Sequence, residues 1–219
     1  MIICHSRKFI FFSNPKTGSE TLRAMLDPWS EVPIVAWNQR LPERPFYPHM
    51  SPVEAEWAFD SLGWDFSAYT RITTVRNPYP RLVSLYRMIC EVDGFWQLRR
   101  SAGLGRPGFA GWVRGTRPDG RGGGGRKHQR WRRFGTWSAQ HWCADRITHT
   151  IRLEQLEQDL EPVMTALGIS PGSIPHLNRR GDVALPDWYD PRLTDLVSKR
   201  YAWDMAQYGY SAPLAQQAA

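Results

Sequence analysis

The 219-residue sequence has only three cysteines, Cys4, Cys90 and Cys143, widely spaced and odd in number. They make neither a C-x-x-C half-site nor a disulfide framework, which excludes a zinc ribbon and a small disulfide-stapled scaffold. Long apolar runs are missing as well. The longest are about four residues, as in Phe9-Ile10-Phe11-Phe12, against the roughly 20 needed to cross a bilayer. The opening Met-Ile-Ile-Cys has no basic region followed by a long apolar stretch and a small-residue cleavage site. These absences predict a soluble, cytoplasmic protein with no membrane span. No solenoid repeat is visible, and no His/Cys/Asp cluster has the spacing of metal ligands.

What is present is a chain with 42% hydrophobic residues, enough for one sizeable core. The net charge is +7 and the pI near 9.6, but the charge is unevenly spread. Residues 97–133 hold 11 of the 28 Lys and Arg against a single acid, Asp119, a local net of +10 that leaves −3 on the rest. A near-neutral domain therefore carries one very basic segment, and a charge-selected partner meets that segment.

The hydrophobic pattern alternates between strand and helix. Lys8–Ser13 reads as a buried strand stopped by Asn14-Pro15, and 17–27 as a helix with Leu22, Met25 and Leu26 on one face. Pro33 to Pro52 is proline-rich and irregular. Ser51-Pro-Val-Glu54 is an N-cap, a first-turn proline and a capping glutamate, opening a helix to about Leu62. Arg71–Val75 is a β-branched strand, Pro80 to about Val92 a helix, and Ile147–Leu153 a strand followed by an amphipathic helix that stops at Gly168. The ten glycines of Gly103 to Gly125 predict a mobile loop, with one short helix at Phe109–Val113. Asp190 to Tyr208 reads as a last helix, and Ser211–Ala219 as a frayed tail. Alternating strands and helices predict an α/β fold with a mostly parallel sheet covered on both faces.

Two stretches carry chemistry. Asn14-Pro-Lys-Thr-Gly-Ser-Glu-Thr21 lies where a buried strand passes into a helix N-terminus, whose N–H groups and dipole bind phosphate or sulfate, with Lys16 adding a mobile charge. It is not the G-x-x-x-x-G-K-[ST] loop, because the upstream glycines are missing. The plain alternative is an ordinary capped helix with a surface lysine. Thr74-Val-Arg76-Asn-Pro-Tyr-Pro-Arg81-Leu-Val-Ser84-Leu-Tyr86 puts Arg76 at the end of a second strand, in the crevice where parallel sheets bind ligands, and Ser84 two turns into the next helix. Its plain alternative has Arg76 capping the helix and Arg81 solvated.

Together, K-T-G-S-x-T and R-N-P-x-x-R-L-V-S-x-Y resemble the sulfotransferases that use 3′-phosphoadenosine 5′-phosphosulfate (PAPS), in particular the carbohydrate sulfotransferase type and its bacterial relatives. The resemblance continues through Arg152-Leu-Glu-Gln-Leu-Glu-Gln-Asp-Leu160, Pro175-His-Leu-Asn178 and Tyr201-x-x-Asp204-x-x-x-Tyr-Gly209-Tyr210. It implies a single three-layer, P-loop-kinase-like sulfotransferase domain over 1–210, with the basic segment of about 97–133 as an insertion. It also implies sulfuryl transfer from PAPS to an acceptor hydroxyl, leaving 3′,5′-ADP, without a metal. Lys16 would bind the phosphosulfate and stabilise the leaving oxygen. Thr17, Gly18, Ser19 and Thr21 would cradle the 5′-phosphate, and Arg76 and Ser84 would hold the 3′-phosphate, the group that separates this donor from ATP, with Arg179 and Arg180 as further candidates. Relatives commonly have Thr where Glu20 stands, so Glu20 is given no role.

Sulfuryl transfer needs a base for the acceptor hydroxyl, and a group titrating near neutrality suits. His49, in the irregular segment between the two stretches where many relatives place their base, is the first candidate. His141 and His176 are rivals, and Glu54 or Glu56 could replace it. The acceptor is a hydroxyl-bearing molecule, a carbohydrate or an anion, and the basic segment would border its site. Two other functions fit parts of the sequence: a kinase-like phosphoryl transferase, and a polyanion or nucleic-acid binder acting through 97–133.

Overall fold

The computed structural model describes residues 1–92, 101–103, 108–116, 118–119, 136–143, 145–170 and 184–213. The Pro175–Asn178 stretch, His176, Arg179, Arg180 and most of the basic segment lie outside them. The chain divides into two compact units, one formed by Met1–Arg76 with Trp142–Arg180, the other by Asn77–His141 with Gly181–Ala219.

The first unit is built on a four-stranded sheet in the order β1 (Ile2–Cys4), β2 (Phe9–Phe12), β3 (Thr70–Val75), β4 (His149–Arg152). The β1–β2 pair is antiparallel and the other two pairs are parallel. All four residues of β2 are fully buried, as an unbroken Phe-Ile-Phe-Phe run requires of a strand covered on both faces. Alternation divides them. Phe9 and Phe11 pack with Leu22 and Leu26 of α1 (Ser19–Leu26) and with Leu160, Val163 and Met164 of the later helix Leu156–Ala166. Ile10 and Phe12 pack on the other side with Ala55, Ala58 and Phe59 of α2 (Pro52–Ser61) and with Phe46, Phe66 and Tyr69. The result is the expected α/β layering, helix on sheet on helix. Each fully buried phenylalanine contributes roughly 1.5–3 kcal/mol relative to an exposed one.

Local signals set the helix ends. Ser51 accepts from the Glu54 N–H while the Glu54 carboxylate accepts from the Ser51 N–H at 3.1 Å, closing the capping box at the start of α2. β1 was not among the expected strands. At three residues it is too short to show a period, and it is held by pairing to β2 through a tight turn in which Lys8 takes a left-handed φ of 50°.

The second unit packs α3 (Pro78–Val92), α4 (Phe109–Arg114), α5 (Ala139–Cys143, whose last two residues fall in the first unit), α7 (Pro191–Arg200) and α8 (Ala202–Tyr208); α6 is the Leu156–Ala166 helix of the first unit. Its core holds Tyr79, Leu82, Val83, Trp112, Leu193, Val197 and Tyr201. The short helix foreseen at Phe109 is α4, and its C-terminal carbonyls accept from Arg200, at 2.8 Å from Val113 O and 3.0 Å from Arg114 O. One expectation is corrected, and with it one part of the plain alternative for the second stretch. The stretch to Tyr208 is two helices, broken at Tyr201, whose hydroxyl donates to Thr136 O at 2.5 Å while Asp204 accepts from the Ala139 and Gln140 N–H groups. Arg81 is not solvated but buried, donating to Trp137 O at 2.8 Å. The Arg81 and Asp204 landmarks thus hold the 136–140 segment.

Candidate functional site

Parallel pairing of β2 with β3 places the ends of both strands on one edge of the sheet, with Phe12 opposite Thr73. Lys16 follows the first of these strands and Arg76 the second. Both side chains are half-buried.

The loop between β2 and α1 has an uncommon backbone. Lys16 is left-handed at φ 64° and Gly18 at φ 78°. For a residue with a Cβ this conformation costs about 1–3 kcal/mol and persists only where surrounding contacts impose it. Those contacts are present. The Thr17 hydroxyl donates to Asn14 O at 2.7 Å and lies 2.6 Å from the Thr74 hydroxyl, which therefore donates to it, all three groups being buried. Thr17 anchors the loop to β3 with its hydroxyl. Gly18 is the N-cap of α1 and no side chain caps that helix. The Thr21 N–H is turned back to Gly18 O at 3.1 Å, and Ser19 is buried in the first turn.

Glycine is demanded at position 18 twice over. Besides the left-handed φ, an added Cβ would collide with Leu153 Cδ1, just beyond β4. Gly18→Ala is expected to destabilise the protein by about 1–3 kcal/mol in urea unfolding. Adding Leu153→Ala should relieve the contact but not the backbone strain, leaving the double variant less stable than Leu153→Ala alone.

His49 is drawn to the same loop. Its Nδ1 lies 2.8 Å from Ser13 O. A carbonyl only accepts, so Nδ1 carries the hydrogen and Nε2 is the acceptor of the neutral ring. Ser13 is also held by the Met1 amino group, 2.8 Å from Ser13 Oγ and 2.9 Å from Pro48 O. Burial is the main cause that lowers the His49 pKa below its ordinary 6.5. The Ser13 carbonyl and Glu20 oppose this, and Arg23 reinforces it. His49 is thereby neutral at pH 7, with a lone pair at Nε2.

The carboxylate alternatives are engaged elsewhere, Glu54 in the capping box and Glu56 with Arg146 Nε at 2.7 Å. His141 belongs to the second unit, with Nδ1 2.8 Å from the Ser138 hydroxyl. Ser84 is half-buried on α3, also in the second unit. The Arg152–Asp159 part of the third landmark is a strand-to-helix clamp, with two side-chain contacts at 2.8 and 2.7 Å and the Arg152 N–H donating to the same carboxylate. Arg152 holds Asp159 below the usual carboxylate range. Thr74 and Ser13, which hold the loop and the histidine, were not singled out in the sequence. Thr74 reads there only as a strand residue, and a serine that uses its carbonyl leaves no sequence signal.

The loop after β2 thus carries a half-buried lysine and leads into a helix N-terminus without a side-chain cap, and a neutral histidine is hydrogen-bonded to the first residue of that loop. The model of the sulfotransferase family matches residues 1–211, and the chain belongs to that family. Among solved structures, the crystal structure of a sulfotransferase from Alicyclobacillus acidocaldarius is similar at 14% identity, covering 96% of this chain and 84% of that one with a TM-score of 0.37. No curated protein matches the chain significantly.

No helix among the described residues is long and apolar enough to cross a membrane. Nor do those residues include a group of three or more His, Cys, Asp or Glu able to hold a metal ion.

Proposed function

We propose that this sulfotransferase takes its sulfuryl group from PAPS and passes it to an acceptor hydroxyl, with His49 as the base. The observation that carries the reading is the loop itself: Lys16 is held in a left-handed conformation at the uncapped N-terminus of α1, and the Ser13 carbonyl fixes His49 with Nε2 as acceptor. When bound, the donor supplies an activated sulfuryl group whose leaving group is a phosphate.

Lys16 neutralises negative charge at the bridging oxygen, where charge grows in the transition state. The Thr17, Gly18 and Ser19 backbone holds the 5′-phosphate by the helix N-terminus. His49 Nε2 accepts the proton of the acceptor hydroxyl as its oxygen bonds to sulfur, so the imidazole leaves the step as imidazolium. Arg76 offers a planar fork to the 3′-phosphate. The proposed part of Ser84 at that phosphate, and of the Thr21 hydroxyl at the 5′-phosphate, rests on the sequence motif. Positioning and charge stabilisation suffice for such a transfer, so the proposal includes no metal.

Calorimetric titration with 3′,5′-ADP and 5′-ADP tests the donor assignment. Wild type should bind 3′,5′-ADP more tightly, and Arg76→Ala should lose about tenfold or more of that affinity while its affinity for 5′-ADP changes little. Equal binding of the two nucleotides by wild type, or an unchanged preference in Arg76→Ala, would contradict it. Preference for ATP would favour the phosphoryl-transfer alternative.

A further inference from the structure

Beside the His49 loop the first unit has an open cleft of about 430 Å³, lined among others by Met1, Arg23, Asp27, Val32, Ile34 and Pro48. Pro48 is the residue before His49, and its carbonyl accepts from the Met1 amino group that also donates to Ser13. One wall is therefore continuous with the backbone that fixes the histidine. Arg23, on α1 one turn beyond Ser19, forms part of another wall. It acts electrostatically on the His49 ring, as does Glu20.

The charges of the cleft are unequal in availability. Glu31 lines it but is already satisfied, accepting from the His5 N–H at 2.6 Å, the Ser6 N–H at 2.9 Å, the Ser6 hydroxyl and the Cys4 thiol. Burial pushes the Met1 amino group down to about 4, so it adds no charge at neutral pH. Asp27 is exposed, a further turn along the chain from Arg23. The Arg23 guanidinium is half-buried and has no hydrogen-bond or ion-pair partner among the described residues. A half-buried guanidinium left without an anion forgoes the interaction it makes best.

We infer that this cleft is the acceptor site and that Arg23 selects an acceptor carrying an anionic group, a carboxylate, sulfate or phosphate, near the hydroxyl offered to His49. The inference rests on the proposed sulfuryl transfer and adds the charge class of the acceptor. Val32, Ile34 and Pro48 provide apolar surface for the acceptor's carbon frame.

The test uses the full chain saturated with 3′,5′-ADP and two matched pairs of probes, glucuronate against glucose and 4-hydroxybenzoate against 4-hydroxybenzyl alcohol. Affinities are read by ligand-observed NMR. Wild type should bind the anionic member of at least one pair about tenfold more tightly or better. Arg23→Gln should abolish that preference and Arg23→Lys should keep part of it, with 3′,5′-ADP affinity unchanged in both. In Arg23→Gln the His49 ring should titrate higher by ¹⁵N NMR, because a positive neighbour has been removed. Retention of the preference in Arg23→Gln, equal binding within both pairs, or no binding of any probe to the 3′,5′-ADP complex would overturn the inference alone. Failure of 3′,5′-ADP itself to bind would overturn the donor reading, and the inference with it.

Discussion

Replacing Lys16 with alanine should lower sulfuryl transfer by about 10²–10³-fold, with a much smaller loss in affinity for 3′,5′-ADP. The magnitude is that of one preorganised charge removed from a developing oxyanion. The asymmetry follows from what the side chain does: the product lacks the sulfuryl group whose departure places charge on the bridging oxygen, so binding of 3′,5′-ADP does not report that interaction. Alanine accepts φ 64° no more readily than lysine, which keeps backbone strain nearly constant and makes the comparison fair. Lys16→Arg should recover part of the rate, since charge is kept but its position is not. Single-turnover rates measured beside calorimetric affinities separate the two effects, and equal losses in both would assign Lys16 to binding alone.

The second large effect is expected at His49. His49→Ala should cost about 10²–10⁴-fold in turnover. His49→Asn should be nearly as damaging even though an amide can still donate to the Ser13 carbonyl, because it brings no base. The wild-type pH profile carries the sign. Burial lowers the His49 pKa below 6.5, so the neutral, base-competent ring persists below that pH. Activity should hold through pH 7 and fall on the acid side as pH drops through the lowered pKa. His49→Ala should lose that acid limb together with the rate. A limb centred above 6.5, or one retained in His49→Ala, would mean that another group takes the proton.

Much of the first unit was legible in the sequence because its signals are local. The Phe9–Phe12 run, short, aromatic and stopped at Asn14-Pro15, reads as a strand buried on both faces, and the Ser51–Glu54 box marks its own helix start. The place of Lys16 and Arg76 followed from one topological rule, that parallel strands bring their ends to one edge. What was illegible depends on distant partners. His49 is fixed by Ser13, 36 residues away, and the Thr17 hydroxyl by Thr74, 57 residues away. Helical periodicity runs through Tyr201 without a break, whereas its backbone leaves helical geometry at φ −115° and ψ 24° while its hydroxyl reaches Thr136, 65 residues away. Arg81 and Asp204 illustrate a different limit. Both lie in stretches that resemble the family's motifs, yet what the structure gives them is the task of holding backbone. A motif identifies a family more readily than it separates the residues that touch substrate from those that hold the fold.

The site also explains why the kinase-like alternative loses ground. A nucleoside-triphosphate loop relies on successive glycines and a lysine followed by Ser or Thr that reaches a magnesium ion. Here the turn is made by a left-handed lysine, and the threonine after it uses its hydroxyl to anchor the loop to β3. The polyanion-binding alternative concerns the basic segment, most of which lies outside the described residues, and is independent of this site.

The most direct test of the account is to incubate the protein with PAPS and a mixture of hydroxyl acceptors that includes glucuronate and 4-hydroxybenzoate, and to quantify 3′,5′-ADP and sulfated product together by mass spectrometry. The account predicts equimolar formation of both by wild type, at rates that collapse in Lys16→Ala and His49→Ala. Wild-type release of 3′,5′-ADP no faster than in the two variants, or transfer of phosphate from ATP by the same residues, would contradict it.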